Sequence, residues 1–148
     1  MSVISDLEIL KREIERMKTQ EKGIFVPLTT LLTSASWSGN LYSTTAKTLI
    51  DLSIVFGVPA GVKAVLVRGV ILDSGSAAAG VNTTWMCLGP TNASGIGMHW
   101  RAASNPNNFY DDKQQIIPCD SNGDIYYQLN ATGVNTMGVY LQIWGYWI

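Results

Sequence analysis

Val3, Leu7, Leu10, Ile14 and Met17 recur at spacings of four, three, four and three. A mean period of 3.5 keeps an apolar seam turned toward a partner helix instead of letting it drift around the cylinder. With Leu7 and Ile14 at heptad position a, Val3, Leu10 and Met17 fall at d. Asp6 and Glu13 then fall at g, and Lys11 and Lys18 at e. In a parallel coil each g faces an e of opposite charge on its neighbour. Glu8 and Arg12 add an i,i+4 pair in the favoured orientation. A surface helix of a globular domain, docked or free, carries a similar stripe, but usually a wider one with e or g also apolar. Here both are charged from Asp6 to Lys18, and only Ile4, at e, and Ile9 stray. Residues 1–23 are therefore expected to form a self-associating coil, with the five seam residues as its contacts. Three heptads are marginal for an isolated helix, so the coil is expected to continue upstream in a longer parent or to be held by the segment after it. The seam leaves the number of strands open: Ile at a beside Leu at d leans to two, and Leu at a to more.

Charge is unevenly spread. Residues 1–22 carry five basic and five acidic side chains, whereas residues 23–148 carry five and six, or 11 in 126. That is less than half the roughly 25 % of an ordinary globular chain. Polarity in the body comes from Ser, Thr, Asn, Gln and Gly instead. Interface cores are depleted in charge, so a body that packs against copies of itself fits this composition, as does an uncharged hydroxyl- and amide-rich exterior. A net charge of −1 argues against nucleic acid as a partner, because a phosphate groove needs a basic stripe. No apolar run reaches membrane-spanning length, and no signal-peptide pattern is present, so neither membrane insertion nor export is expected. Cys87 and Cys119 are expected as free thiols that behave as small hydrophobes. The Asn-x-Ser/Thr triplets at Asn82, Asn92 and Asn130 read as loop composition.

Beyond Gly23, where the helix is expected to stop, the period changes. Ile24, Val26 and Leu28 alternate, and Pro27 marks an edge or transition segment. Residues 24–47, rich in Ser and Thr, read as a neck or linker. Residues 48–148 read as the main domain. Strands are expected at 48–56, 62–72, 85–88, 97–102, 114–118, 125–129 and 137–148. They are separated by turns such as Gly57-Val58-Pro59-Ala60-Gly61 and Ser121-Asn122-Gly123. Short alternating strands at these spacings, with no internal repeat and no helical period after Lys22, predict an all-β, antiparallel, jelly-roll-like β-sandwich. The twelve-residue terminal strand, with two Trp and two Tyr, is expected deep in the fold or at a subunit seam.

A coil feeding such a domain brings a known family into view. The segments Val58-Pro59-Ala60-Gly61-Val62-Lys63-Ala64-Val65-Leu66-Val67-Arg68, Asp120-Ser121-Asn122-Gly123-Asp124-Ile125-Tyr126-Tyr127 and Val139-Tyr140-Leu141-Gln142-Ile143-Trp144-Gly145-Tyr146-Trp147 resemble the C-terminal knob of a tailed-bacteriophage fibre or tail needle. The resemblance covers residues 48–148, and the coil in general style. It implies a homotrimer on the virion that contacts a glycan or protein of the host surface, or that orders the tail tip without a specific receptor. It brings no residue-level binding motif.

Catalytic and metal signatures are weak. His99 is the only histidine and has no Cys or His at ligand spacing. Asp111-Asp112 follows Asn107-Asn108 but lacks calcium-loop spacing, so a solvated loop is expected. Asp120 and Asp124 are explained by the turn between them. There is no nucleophile elbow and no phosphate loop. A glycosidic carboxylate pair drawn from Asp51, Asp73, Asp111, Asp112, Asp120 and Asp124 remains an alternative, although spacing does not favour it and the body has no Glu. The expectation is a non-enzymatic chain with no cofactor and no metal. Trp100, Arg101, Asn105, Asn107, Asn108, Phe109 and Tyr110 form the candidate receptor-binding stretch. Aromatic faces beside planar amides and a guanidinium suit a sugar ring or a protein epitope. The competing reading makes the aromatics core anchors, and is stronger for Trp100.

Overall fold

The computed structural model describes residues 3–19, 23–33, 44–73, 85–101, 110–130 and 137–148. Helix α1 spans Val3–Thr19, so the expected stop at Gly23 falls partly on residues outside this set. Residues 6–16 are exposed throughout, Leu7, Leu10 and Ile14 among them. The seam of a lone protomer is thus bare where its side chains are described.

The described residues form eight strands: β1 (Phe25–Thr33), β2 (Thr44–Ile50), β3 (Ala64–Asp73), β4 (Trp85–Gly89), β5 (Met98–Arg101), β6 (Tyr110–Pro118), β7 (Ile125–Asn130) and β8 (Met137–Trp147). They build two four-stranded sheets, ordered β1-β8-β3-β6 and β2-β7-β4-β5. Every pairing between them is antiparallel. The domain is all-β, as expected.

Period-two patterning explains which face is inside. On β3, Val65, Val67, Gly69 and Ile71 are buried, whereas Ala64, Leu66, Arg68, Val70 and Leu72 are half-exposed. The inward set joins Ile117, Val139, Leu141 and Ile143 from its own sheet and Ile50, Met86, Leu88, Trp100, Ile125, Tyr127 and Leu129 from the other in one core. Arg68, which interrupts the outer row, is accommodated there by charge. Its Nε donates to Asp112 Oδ1 at 2.9 Å, a second nitrogen pairs with Asp112 Oδ2, and Nη1 donates to Gln142 at 3.2 Å.

Two expectations are corrected. The segment expected as a neck belongs to the sheets: β1 pairs with β8 and β2 with β7. Ser/Thr-rich strands without clean apolar alternation carry little signal of their own, and the partner strands dictate their state. The strand expected over 48–56 ends at Ile50, and a short helix α2 (Leu52–Phe56) comes next. Asp51 caps it by accepting from Ile54 N at 3.0 Å, and Gly57, at φ 73°, stops it. Leu52 and Phe56 are one helical turn apart and both buried, while Ile54, expected to share their face, is 81 % exposed. Apolar residues at i and i+4 satisfy both periods over so short a run, and the capping aspartate decides between them.

The two ends of the domain differ. At one end Ile24 and Ile148 exchange backbone hydrogen bonds of 3.0 and 3.1 Å, Lys63 N donates to Trp147 O at 2.8 Å, and Gly61 N to Asn122 O at 3.0 Å. The chain enters from α1 here and also finishes here. At the other end lie Thr44, Asp73 and Trp85, Arg101 and Tyr110, and Asn130 and Met137, since Trp85 pairs with both Arg101 and Asn130, Thr44 with Leu129, and Leu72 with both Tyr110 and Gly138, whereas Thr33 ends β1 partway along the sheet, opposite Gln142. Three connections between the sheets, 74–84, 102–109 and 131–136, thus leave and return at this end, opposite Ile24 and Ile148, and the 34–43 connection returns here at Thr44.

Candidate functional site

The candidate receptor-binding stretch divides when placed on this frame. Trp100 is fully buried. On β5 it points inward, its Nε1 donates to Lys113 O at 3.3 Å, and its ring lies against Gly69 of the opposite sheet. A Cβ at position 69 would meet the indole at 2.7 Å. Trp100 is therefore a core anchor that offers no face to a receptor, which corrects its inclusion in the stretch. Arg101 ends β5 and Tyr110 opens β6, so both stand at the end away from the helix. The side chains of these two residues, and Asn105, Asn107, Asn108 and Phe109 altogether, lie outside the described residues, as do the side chains of seam residues Val3 and Met17.

The loop expected to run to Asp112 is shorter. Asp111 and Asp112 are in β6, and each faces a cation: Asp111 contacts Lys113 at 2.8 Å, and Asp112 pairs with Arg68. The guanidinium holds the Asp112 carboxyl below its usual range. Neither reads as a calcium ligand in waiting.

His99 has a structural setting. It lies two residues after Gly97, in β5, with its ring centroid 5.2 Å from that of Trp85 and tilted by 58°, and donates from Nε2 to Gly95 O at 3.0 Å, while its Nδ1 is buried without a hydrogen-bond partner among the described residues. It belongs to a small roof that the sequence did not announce. Residues 90–97 pass over the outside of the β2-β7-β4-β5 sheet. Gln128, a buried polar residue on β7, accepts from Gly95 N at 2.9 Å and donates to Ser94 Oγ at 2.9 Å. Lys47 Nζ donates to Ile96 O at 2.7 Å. Gly97, at φ 146°, lies so close to Leu88 that a Cβ would come within 2.2 Å of its carbonyl oxygen. Only glycine fits there. The one available signal was Gln128 itself, an amide flanked by aromatic and aliphatic residues in the interior of β7.

Cys87 lies beneath this roof. Burial pushes its thiol up despite the pull of Lys47, and burial raises Cys119 to about 12. Both thiols are free. At the helix-bearing end Asp51, Asp120 and Asp124 serve the backbone: Asp124 accepts from Leu52 N at 3.0 Å, and Asp120 from Asn122 N and Asp124 N at 2.9 and 3.0 Å. Among the described residues no group of three or more His, Cys, Asp or Glu side chains is placed to hold a metal ion, and no helix is long and apolar enough to cross a membrane.

No protein-family model, curated protein or solved structure matches this chain. Its class is therefore set by what its own residues define: an all-β domain of two antiparallel sheets with an apolar-seamed helix at one end.

Proposed function

We propose that this chain is the knob of a homotrimeric bacteriophage fibre or tail tip, and that it attaches to the host surface without catalysis. On this reading the head is a jelly roll. Strand orders β1-β8-β3-β6 and β2-β7-β4-β5, in which the chain crosses between the two sheets at every step except the β4–β5 pair, support that topology. The observation that carries the functional reading is polarity. The chain comes from α1 into one end of the domain, where Ile24 bonds to Ile148, and three connections of six to eleven residues, 74–84, 102–109 and 131–136, leave from the other. A parallel coil gathers copies at the first end and turns the second outward, with Arg101 and Tyr110 at the base of the 102–109 connection. Loops on a rigid scaffold are the usual carriers of recognition. The receptor stretch is then Arg101, Asn105, Asn107, Asn108, Phe109 and Tyr110, without Trp100.

The test is retention of fluorescently labelled protein by a panel of bacterial strains, with surface polysaccharide from a binding strain added as competitor. Saturable binding that is lost when Asn107, Asn108 and Phe109 are replaced by Ser, with the polysaccharide left at full length, is the expected result. Shortened polysaccharide chains would mark a hydrolase tip instead. Absence of binding across strains that the parent phage infects would leave a purely structural tip.

A further inference from the structure

The outer faces of the two sheets are unlike. The β2-β7-β4-β5 face is roofed by the chain's own residues 90–97, held through Gln128, Lys47 and His99. The β1-β8-β3-β6 face has no such cover among the described residues, and it is largely apolar, crossed by one polar band of Arg68, Asp112, Gln114 and Gln142. Ile116 and Tyr140 are 52 % and 57 % exposed, Phe25 is 40 % exposed, and Leu66, Val70 and Leu72 are half-exposed between them. The register makes this one continuous surface: Leu66 pairs with Ile116, and Val70 with both Asp112 and Tyr140. The Phe25 ring lies over Gly145, the partner of Leu66.

We propose that this face packs against other copies of the same chain, so that the head, and not the helix alone, holds the assembly together. The inference rests on the homo-oligomeric reading above and adds where the heads meet. Three observations choose a second copy as the occupant. The charges of the face, Arg68 and Asp112, close on each other within one protomer. The surface is thus locally neutral, and a neighbouring copy approaches it without repulsion or unpaired charge. Next, β1 opens at Phe25, six residues after α1 ends at Thr19. Six residues reach at most about 20 Å, so helices joined at their seam bring the first strand of this sheet near the common axis. Finally, four strands about 4.8 Å apart and about 30 Å long give a footprint on the order of 600 Å². Added to a three-heptad seam, that approaches the roughly 800 Å² per partner of a stable interface.

Hydroxyl-radical footprinting of the full chain, beside its mass by light scattering, tests this. A free face leaves Tyr140 to react at roughly half the rate of a free tyrosine, in line with its 57 % exposure. A face packed in an interface core lowers that rate about tenfold. Ile116→Glu, at a position exposed in the protomer, should then restore Tyr140 labelling and weaken association at least about tenfold, with the far-UV circular dichroism unchanged. An oligomeric wild type whose Tyr140 reacts at the free-face rate would overturn the head contact and leave a helix-only assembly. A wild type of one protomer's mass would overturn both readings.

Discussion

Trp100 and Gly69 provide a quantitative test of how the two sheets are held together. The indole is fully buried and occupies the space that a side chain at 69 would need. Burying about 200 Å² of indole at about 25 cal/mol per Å² corresponds to roughly 5 kcal/mol. Trp100→Ala should therefore cost about 3–5 kcal/mol of stability. Gly69→Ala adds only a methyl group, but it drives that methyl to 2.7 Å from Cε2 and 2.9 Å from Cζ2 and Nε1 of the indole. The ring is closed in on every side, so it must tilt and strain its bond to Lys113 O, and the expected cost is about 1–3 kcal/mol. Trp100→Phe removes the atoms that meet the new methyl. Gly69→Ala should therefore cost less in the Trp100→Phe background, with a coupling of about 1 kcal/mol or more in a double-mutant cycle. Urea titrations followed by circular dichroism at one fixed protomer concentration supply the four free energies, since assembly makes stability concentration-dependent. Additive effects, within about 0.5 kcal/mol, would refute the contact.

Asp51→Ala should lower stability by about 0.5–2 kcal/mol through loss of the α2 cap, while Asp51→Asn, which keeps an acceptor for Ile54 N, should lose much less; thermal melts read both. The Asp112 carboxyl is held low by Arg68, so the stability it confers is present above the usual carboxylate range and fades as pH falls through its own lower pKa; Asp112→Asn should flatten the acid limb of a stability-against-pH curve. Asp124 runs the other way, raised by burial and by Asp51 and Asp120, so its protonated form favours the fold and stability falls as pH rises through its pKa; Asp124→Asn, which can still accept from Leu52 N, should remove that loss. Cys119, raised from 9.0 to about 12, confers stability that is complete below pH 9 and lost as pH rises toward 12; the fully buried Cys87 should react with a disulfide reagent at pH 8 only at the rate of unfolding, and the half-buried Cys119 faster than Cys87 but more slowly than a free thiol.

The core of this fold was legible where the period-two pattern was strong. Val65, Val67 and Ile71 on β3 and Val139, Leu141 and Ile143 on β8 alternate without interruption, and both strands lie in the centre of their sheet. Two of the edge strands were not legible: β1 contains Pro27 and a run of Thr and Leu, β2 is largely Thr and Lys, and both owe their state to the strands beside them. Helix α2 was hidden because five residues are too few to distinguish a period of 3.6 from one of two. Trp100 was ambiguous for a related reason. Its neighbours in sequence are polar, and its neighbour in space, Gly69, is 31 positions away and contributes the absence of a side chain. Gln128 and Lys47, which pin residues 90–97, hold that segment through the backbone at Gly95 and Ile96 and the Ser94 hydroxyl, a set that no side-chain spacing encodes.

Assembly of identical chains is the central claim, and the mass of the intact particle is its most direct measure. Native mass spectrometry of the full chain at micromolar protomer concentration should give three times the 16.1 kDa of one protomer, and should shift toward one protomer when Leu10 and Ile14 are replaced by Asp. A wild-type particle of 16.1 kDa, unchanged by those substitutions, would contradict it.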